Sequence, residues 1–102
     1  SQDTIQQLKV DTEARDVWVG GKLLTPPLSP KQFAILSCLY QNKGKAVSLD
    51  SIASSGWPER PDGVVAPEEI QQYITKIRGR IEEDRSNPKL IITKTGYGYI
   101  MP

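Results

Sequence analysis

Four isoleucines, Ile70, Ile74, Ile77 and Ile81, stand four, three and four residues apart. At 3.6 residues per turn they fall into one apolar stripe, so the segment is predicted to be an amphipathic helix with these four side chains inward. Tyr73 lies beside the stripe. Gln72, Thr75, Lys76 and Gly79 lie around the other side, with Arg78 and Arg80 on opposite flanks. Pro67 suits the first turn, and Glu68 and Glu69 favour the positive end of the helix dipole. The helix is expected over about 67–84, roughly 27 Å at 1.5 Å per residue.

Asn87-Pro88 turns the chain into a second informative stretch, about 89–101, whose centre reads Ile92-Thr93-Lys94-Thr95-Gly96-Tyr97-Gly98-Tyr99-Ile100. It alternates as a strand does, and its two glycines are expected to relieve a tight turn between β-prone arms. A long helix with a donor-rich face followed by a short hairpin is the working end of a winged helix, an architecture that mainly binds DNA.

Upstream, Leu8 and Val10, then Val17 and Val19, alternate with polar residues, and Gly20-Gly21 supplies a turn before Lys22-Leu23-Leu24. These predict short, half-buried antiparallel strands. Pro26-Pro27 stops the sheet. Ser29 can cap a helix that starts at Pro30 and carries Phe33, Ile35, Leu36, Leu39 and Tyr40, ending near Gly44. Ser48 can cap a shorter helix through about Ser54, and Gly56–Gly63 is rich in breakers and reads as a loop. The expected fold is α+β in the order β-β-β-α-α-α-β-β: an N-terminal antiparallel sheet, three helices and a C-terminal hairpin.

At 102 residues the chain is expected to be one domain, 1–102. It opens with Ser1 and its sole methionine is Met101, which predicts a piece excised from a longer regulator. No apolar run approaches bilayer-crossing length. The single cysteine, Cys38, excludes an internal disulfide and fits a reducing compartment; a cytoplasmic location is expected. Net charge is only +1, so distribution matters more than the sum. Lys22, Lys31, Lys43 and Lys45 occur with no acid between Val17 and Leu49. Acids dominate from Ala46 to Thr75, and bases return from Lys76 to Lys94, interrupted by Glu82, Glu83 and Asp84. This banding predicts one basic face and one acidic face, the alternative being a mixed, solvated surface.

The sequence resembles the C-terminal effector domain of OmpR/PhoB-type response regulators from about Leu8 to Ile100. That family's recognition helix reads Val-Asp-Val-(His/Tyr)-Ile-x-x-Leu-Arg-x-Lys-Leu, matched here by Ile70-Gln71-Gln72-Tyr73-Ile74-Thr75-Lys76-Ile77-Arg78-Gly79-Arg80-Ile81. Its wing reads Thr-Val-Arg-Gly-x-Gly-Tyr, matched by Thr93-Lys94-Thr95-Gly96-Tyr97-Gly98-Tyr99, and Trp57 stands where a tryptophan often closes the second helix. The resemblance implies a four-stranded N-terminal sheet, tandem binding to direct repeats, dimerisation through a domain absent from this chain, and a loop, 56–66, that faces RNA polymerase. The departures fall in the contact surface. Thr95 replaces the wing arginine, Glu68 stands where a base is common, and Gly79 weakens the helix interior by about 1 kcal/mol relative to alanine.

If the helix enters a major groove, Gln72, Thr75 and Lys76 are the candidates for base edges: glutamine matches adenine, lysine guanine, and threonine offers a hydroxyl or a methyl group. Arg78 and Arg80 are the candidates for flanking phosphates. Lys94 and Thr95 at the hairpin are expected at the adjacent minor groove or its phosphates. The alternative for each is an ordinary solvated residue. Tyr97 and Tyr99 could form a stacking platform for single-stranded bases, but Tyr99 is expected in the core, as are Trp57 and Cys38. The Glu82-Glu83-Asp84 run reads as a solvated helix end.

With no histidine and one cysteine, common catalytic triads and transition-metal sites cannot be built. No enzyme activity, cofactor or metal is expected. The function predicted is sequence-specific binding of double-stranded DNA by a transcription regulator. The rival is a winged-helix protein-interaction module with weakened or lost DNA binding, supported by the low net charge, Glu68-Glu69 and the missing wing arginine.

Overall fold

The isoleucine stripe organises the core. In the computed structural model, which describes residues 8–60, 62 and 64–102, all four isoleucines are 0% exposed. They pack with Phe33, Ile35, Leu36, Leu39, Ile52, Trp57, Ile91 and Tyr99. Ser1–Gln7, Pro61 and Gly63 lie outside the described residues, and with them the start of the expected domain and part of the breaker-rich loop.

In chain order the elements are β1 (Leu8–Asp11), β2 (Asp16–Val19), β3 (Lys22–Leu23), α1 (Pro30–Gln41), β4 (Ala46–Ser48), α2 (Leu49–Gly56), α3 (Pro67–Ile81), β5 (Ile92–Lys94) and β6 (Gly98–Ile100). The first three strands form an antiparallel meander, with Val10 opposite Val17 and Trp18 opposite Leu23. The sheet has three strands among the described residues, where the resemblance implies four. Arg15, in the first turn, places its guanidinium 4.7 Å from the centre of the Phe33 ring and so ties the meander to α1. Among the described residues no helix is long and apolar enough to cross a membrane.

The predicted caps form. Ser29 accepts from the Gln32 amide while Gln32 accepts from the Ser29 amide, a reciprocal capping box ahead of Pro30. Ser48 accepts from Ser51 and starts α2. The ends of the helices depart from expectation. Asn42 rather than Gly44 caps α1, with its side-chain amide donating to the Cys38 carbonyl at 2.7 Å. The α2 helix continues to Gly56, and Trp57 caps it.

One strand was not expected. The β4 strand pairs with β6, placing Ala46 opposite Ile100, Val47 opposite Tyr99 and Ser48 opposite Gly98. The hairpin β5–β6 is thus two strands of a three-stranded sheet ordered β4-β6-β5. Its two glycines serve different purposes. Gly96 takes a left-handed φ of 77° in the turn that the Tyr97 amide closes onto the Lys94 carbonyl. Gly98 allows a close backbone approach, since a Cβ there would stand 1.9 Å from the Val47 carbonyl oxygen.

The α3 helix stops at Ile81, short of the expected Asp84, and spans 15 residues, about 22 Å. Glu82 leaves the helix at φ −80° and ψ 139°. Its carboxylate then accepts from the backbone amides of Lys89, Leu90 and Ile91 at 2.8–3.1 Å. The expectation of a merely solvated acidic run is therefore corrected at Glu82, which joins the end of α3 to the start of the hairpin. Asp84 also has partners, accepting from the amide and hydroxyl of Ser86.

Two substitutions test these joints. Gly98→Ala should lower stability by about 1–3 kcal/mol, because a methyl group cannot share space with a backbone carbonyl; thermal unfolding with parental midpoint would contradict the β4–β6 packing. Glu82→Ala strands three amides and should lower stability by about 2–3 kcal/mol in urea unfolding, with Glu82→Gln recovering part of the loss through its remaining acceptor. An alanine variant as stable as the parent would show that the carboxylate does not hold the hairpin.

Candidate nucleic-acid interface

The outward face of α3 is where polar side chains are left without internal work. Glu68, Gln71, Gln72, Thr75 and Lys76 line a shallow open depression along it. All five are exposed. Gln72 and Thr75 make no side-chain hydrogen bond among the described residues. Lys76 holds its Nζ 5.3 Å from the centre of the Tyr73 ring, a contact weak enough at an exposed site to yield to a ligand. Tyr73 meets Trp57 edge-on, with centroids 5.4 Å apart and planes at 89°. The lysine therefore rests on an aromatic pair anchored in the core.

The acidic end of the helix is half neutralised. Glu69 accepts two hydrogen bonds from Arg60, at 3.0 and 2.9 Å, which hold its carboxyl below the ordinary carboxylate range. Arg60 also donates to the Val64 carbonyl, so the α2–α3 loop is fastened to the first turn of α3. Glu68 alone brings free negative charge to the depression. Nearby, Lys31 donates to the Gly56 carbonyl at 2.6 Å, pairs with Glu59 at 2.9 Å and lies 4.7 Å from the Trp57 ring centre.

The two arginines expected at phosphates are engaged elsewhere. Arg78 donates from Nε and Nη2 to the Ile91 carbonyl at 3.1 and 2.8 Å, and from Nη2 to Thr93 Oγ1 at 3.0 Å. Its guanidinium also lies 5.7 Å from the Tyr99 ring centre. Arg78 is thus a strut between α3 and β5, facing away from the depression. Arg80 donates from Nη2 to the Pro26 carbonyl, on the flank that meets the β3–α1 connection. Charge and helical phase pointed to these residues, but neither reveals that backbone carbonyls from distant segments sit within reach.

Lys94 and Thr95 are exposed at the tip of the hairpin. Tyr97, 54% exposed, stands beside them, and its carbonyl accepts from the Leu49 amide at 3.1 Å. The tip is thereby tethered to the start of α2. Tyr99 is 7% exposed, packed as expected, and burial pushes its phenol above the ordinary range. A two-tyrosine stacking platform is excluded by that burial. Sequence reading also passed over Arg85, which reaches back to the exposed Gly79 on α3; the only hint is a glycine on the outward face followed six residues later by a base. Among the described residues, no group of three or more His, Cys, Asp or Glu side chains is placed to hold a metal ion.

This arrangement has relatives. The probable transcriptional regulator ycf27 of Porphyra purpurea is 32% identical over 93 residues, which cover 91% of this chain and 37% of that protein. The response regulator DrrB of Thermotoga maritima, an OmpR/PhoB homolog, is 35% identical with a TM-score of 0.78, over 92% of this chain and 41% of that one. This chain thus matches well under half the length of either. The RstA DNA-binding domain of Klebsiella pneumoniae, solved in complex with the RstA box, shares the fold at a TM-score of 0.73 and 23% identity, over 92% of this chain and 89% of that one. The model of the family described as transcriptional regulatory protein, C terminal, matches residues 25–101, from the end of the meander through the whole hairpin, and the chain belongs to that family.

Proposed function

We propose that this chain is the duplex-DNA-binding effector domain of a transcription regulator, with α3 in the major groove and the β5–β6 hairpin at the neighbouring minor groove. The observation that carries it is the set Gln72, Thr75 and Lys76, exposed on a helix whose opposite face is wholly buried and whose end is bonded to the hairpin bearing Lys94 and Thr95. Such a helix presents donors at fixed spacing, as base-edge recognition requires. Arg78 acts in this reading by holding the hairpin at a set angle to α3, and Arg80 by fixing the flank.

The wider assignments are part of the same proposal. The domain, 1–102, works in the cytoplasm as one part of a longer regulator, performs no catalysis, and dimerises through a domain outside this chain. Of the 56–66 loop, Gly56 and Trp57 are buried and Arg60 is pinned to Glu69. Among the described residues, contact with RNA polymerase therefore falls to the exposed Pro58, Glu59, Asp62, Val64 and Ala66, with Val64 66% exposed. The rival protein-interaction module draws support from the engagement of Arg78 and Arg80 with backbone carbonyls, which leaves both only partly exposed and takes up donors that a phosphate would use.

Titration of random duplex at two salt concentrations separates these readings. Binding should weaken as salt rises, with a slope of about 0.9 in log K against log salt per neutralised phosphate. Lys76→Ala should flatten preference at one base pair by about 1–3 kcal/mol more than it lowers random-sequence binding. Absence of binding at low salt would favour the rival, and an equal loss on all sequences would reassign Lys76 to a phosphate.

The tip gives an independent test. Thr95→Arg adds a long cation suited to the negative potential of narrow A·T-rich minor grooves. It should tighten binding, steepen its salt dependence and favour sites with an A·T-rich flank. Unchanged affinity and preference in a domain that still binds through α3 would remove the hairpin from the duplex.

A further inference from the structure

The outward face of α3 lacks a side chain one turn beyond Lys76, at Gly79. Positions 75, 76 and 79 share that face by helical spacing. A Cβ built on Gly79 would stand 3.5 Å from Arg85 Nη1 and 4.0 Å from Arg85 Cδ. The arm of Arg85 therefore lies across bare helix backbone, in the space that a residue-79 side chain would use. The turn that carries it is built by hydrogen bonds: Asp84 accepts from the Ser86 amide at 3.0 Å and the Ser86 hydroxyl at 2.6 Å. The Asn87 amide closes onto the Asp84 carbonyl at 3.0 Å.

Charge accounting leaves the same residue free, beside the exposed acids Glu83 and Asp84. Lys89 is the other exposed base between α3 and β5 whose side chain has no partner among the described residues. Arg78 is bonded to Ile91 and Thr93, and Arg80 to Pro26. Glu82, the acid nearest the end of α3, is occupied by three backbone amides. Arg85 is exposed and has no hydrogen-bond or ion-pair partner among the described residues. The far end of the face thus holds one guanidinium with its donors open, delivered from outside the helix.

We infer that Arg85, laid over Gly79, supplies the cation that the end of α3 lacks and contacts a backbone phosphate beside the major groove, so that the pair works as one split recognition position. This rests on the duplex reading above. Guanidinium suits a phosphate because it donates two parallel hydrogen bonds and stays charged. A Cβ at 79 would meet Arg85 at ordinary van der Waals distance, so alanine fits beneath the arginine, whereas a side chain that extends further would take its place.

The test uses random duplex, measured at two salt concentrations with the whole chain and three variants. Arg85→Ala should bind about threefold to tenfold more weakly on all sequences, with the salt slope reduced by about 0.9. Adding Gly79→Lys to Arg85→Ala should restore both affinity and slope, since a lysine on the helix itself reaches the same phosphate. Gly79→Lys alone should gain less than it does beside Arg85→Ala, because the two cations compete for one site. Parental affinity and slope in Arg85→Ala would overturn the inference, and so would a loss that Gly79→Lys fails to repair. If Lys76→Ala still flattens base preference in either case, the duplex reading stands without it. A parent that binds no duplex at low salt overturns both.

Discussion

The angle between α3 and the hairpin is set by one reciprocal exchange at the end of the helix, and the proposed function depends on that angle. Glu82 takes the amides of Lys89, Leu90 and Ile91, while Arg78, one turn earlier, gives two donors to the carbonyl of Ile91. An acid and a base from the same helix thus grip opposite polar groups of the same short segment. Each charge-assisted bond contributes about 1.5–3 kcal/mol, enough to hold a short sheet that has little apolar surface of its own. Thr93 extends the grip into β5, and Ile91, fully buried between the two contacts, closes the joint from inside. The end of α3 and the start of the hairpin are therefore fastened to each other from both sides.

That economy changes the electrostatic picture. The chain has 13 basic and 12 acidic side chains, but many are consumed by internal bonds. Arg60 is matched to Glu69, Lys31 to Glu59, Arg78 and Arg80 to carbonyls, and Glu82 to amides. What is exposed on α3 and just beyond it is then Lys76, Arg85 and Lys89 against Glu68, Glu83 and Asp84, with Lys94 on the hairpin. A surface with so few free cations binds phosphate weakly and leaves more of the discrimination to base contacts.

Legibility in the sequence followed the range of the interactions. The isoleucine stripe was readable because burial imposes a helical period on consecutive residues, and Ser29 and Ser48 because capping is local chemistry. The turn at Gly96 was readable for the same reason. The β4 strand was hidden: Ala46-Val47-Ser48 has one buried apolar residue, and it is a strand because β6 arrives beside it from fifty residues away. Glu82 resembled any solvated acid until residues 89–91 closed over it. Exposure of Gln72, Thr75, Lys76, Lys94 and Thr95 followed from phase and turn position. The directions of Arg78, Arg80 and Arg85 did not, since a long side chain chooses its partner from whatever backbone the tertiary fold brings near.

Backbone amide shifts of the isotopically labelled domain, followed by NMR during titration with duplex DNA, test the account at its centre. A rigid helix-and-hairpin unit docked by its outer face predicts the largest changes at Gln72, Thr75, Lys76, Lys94 and Thr95. Ile91 should respond weakly, and β1–β3 should stay still. Changes centred on the N-terminal meander, or confined to α3 with none in the hairpin, would contradict it.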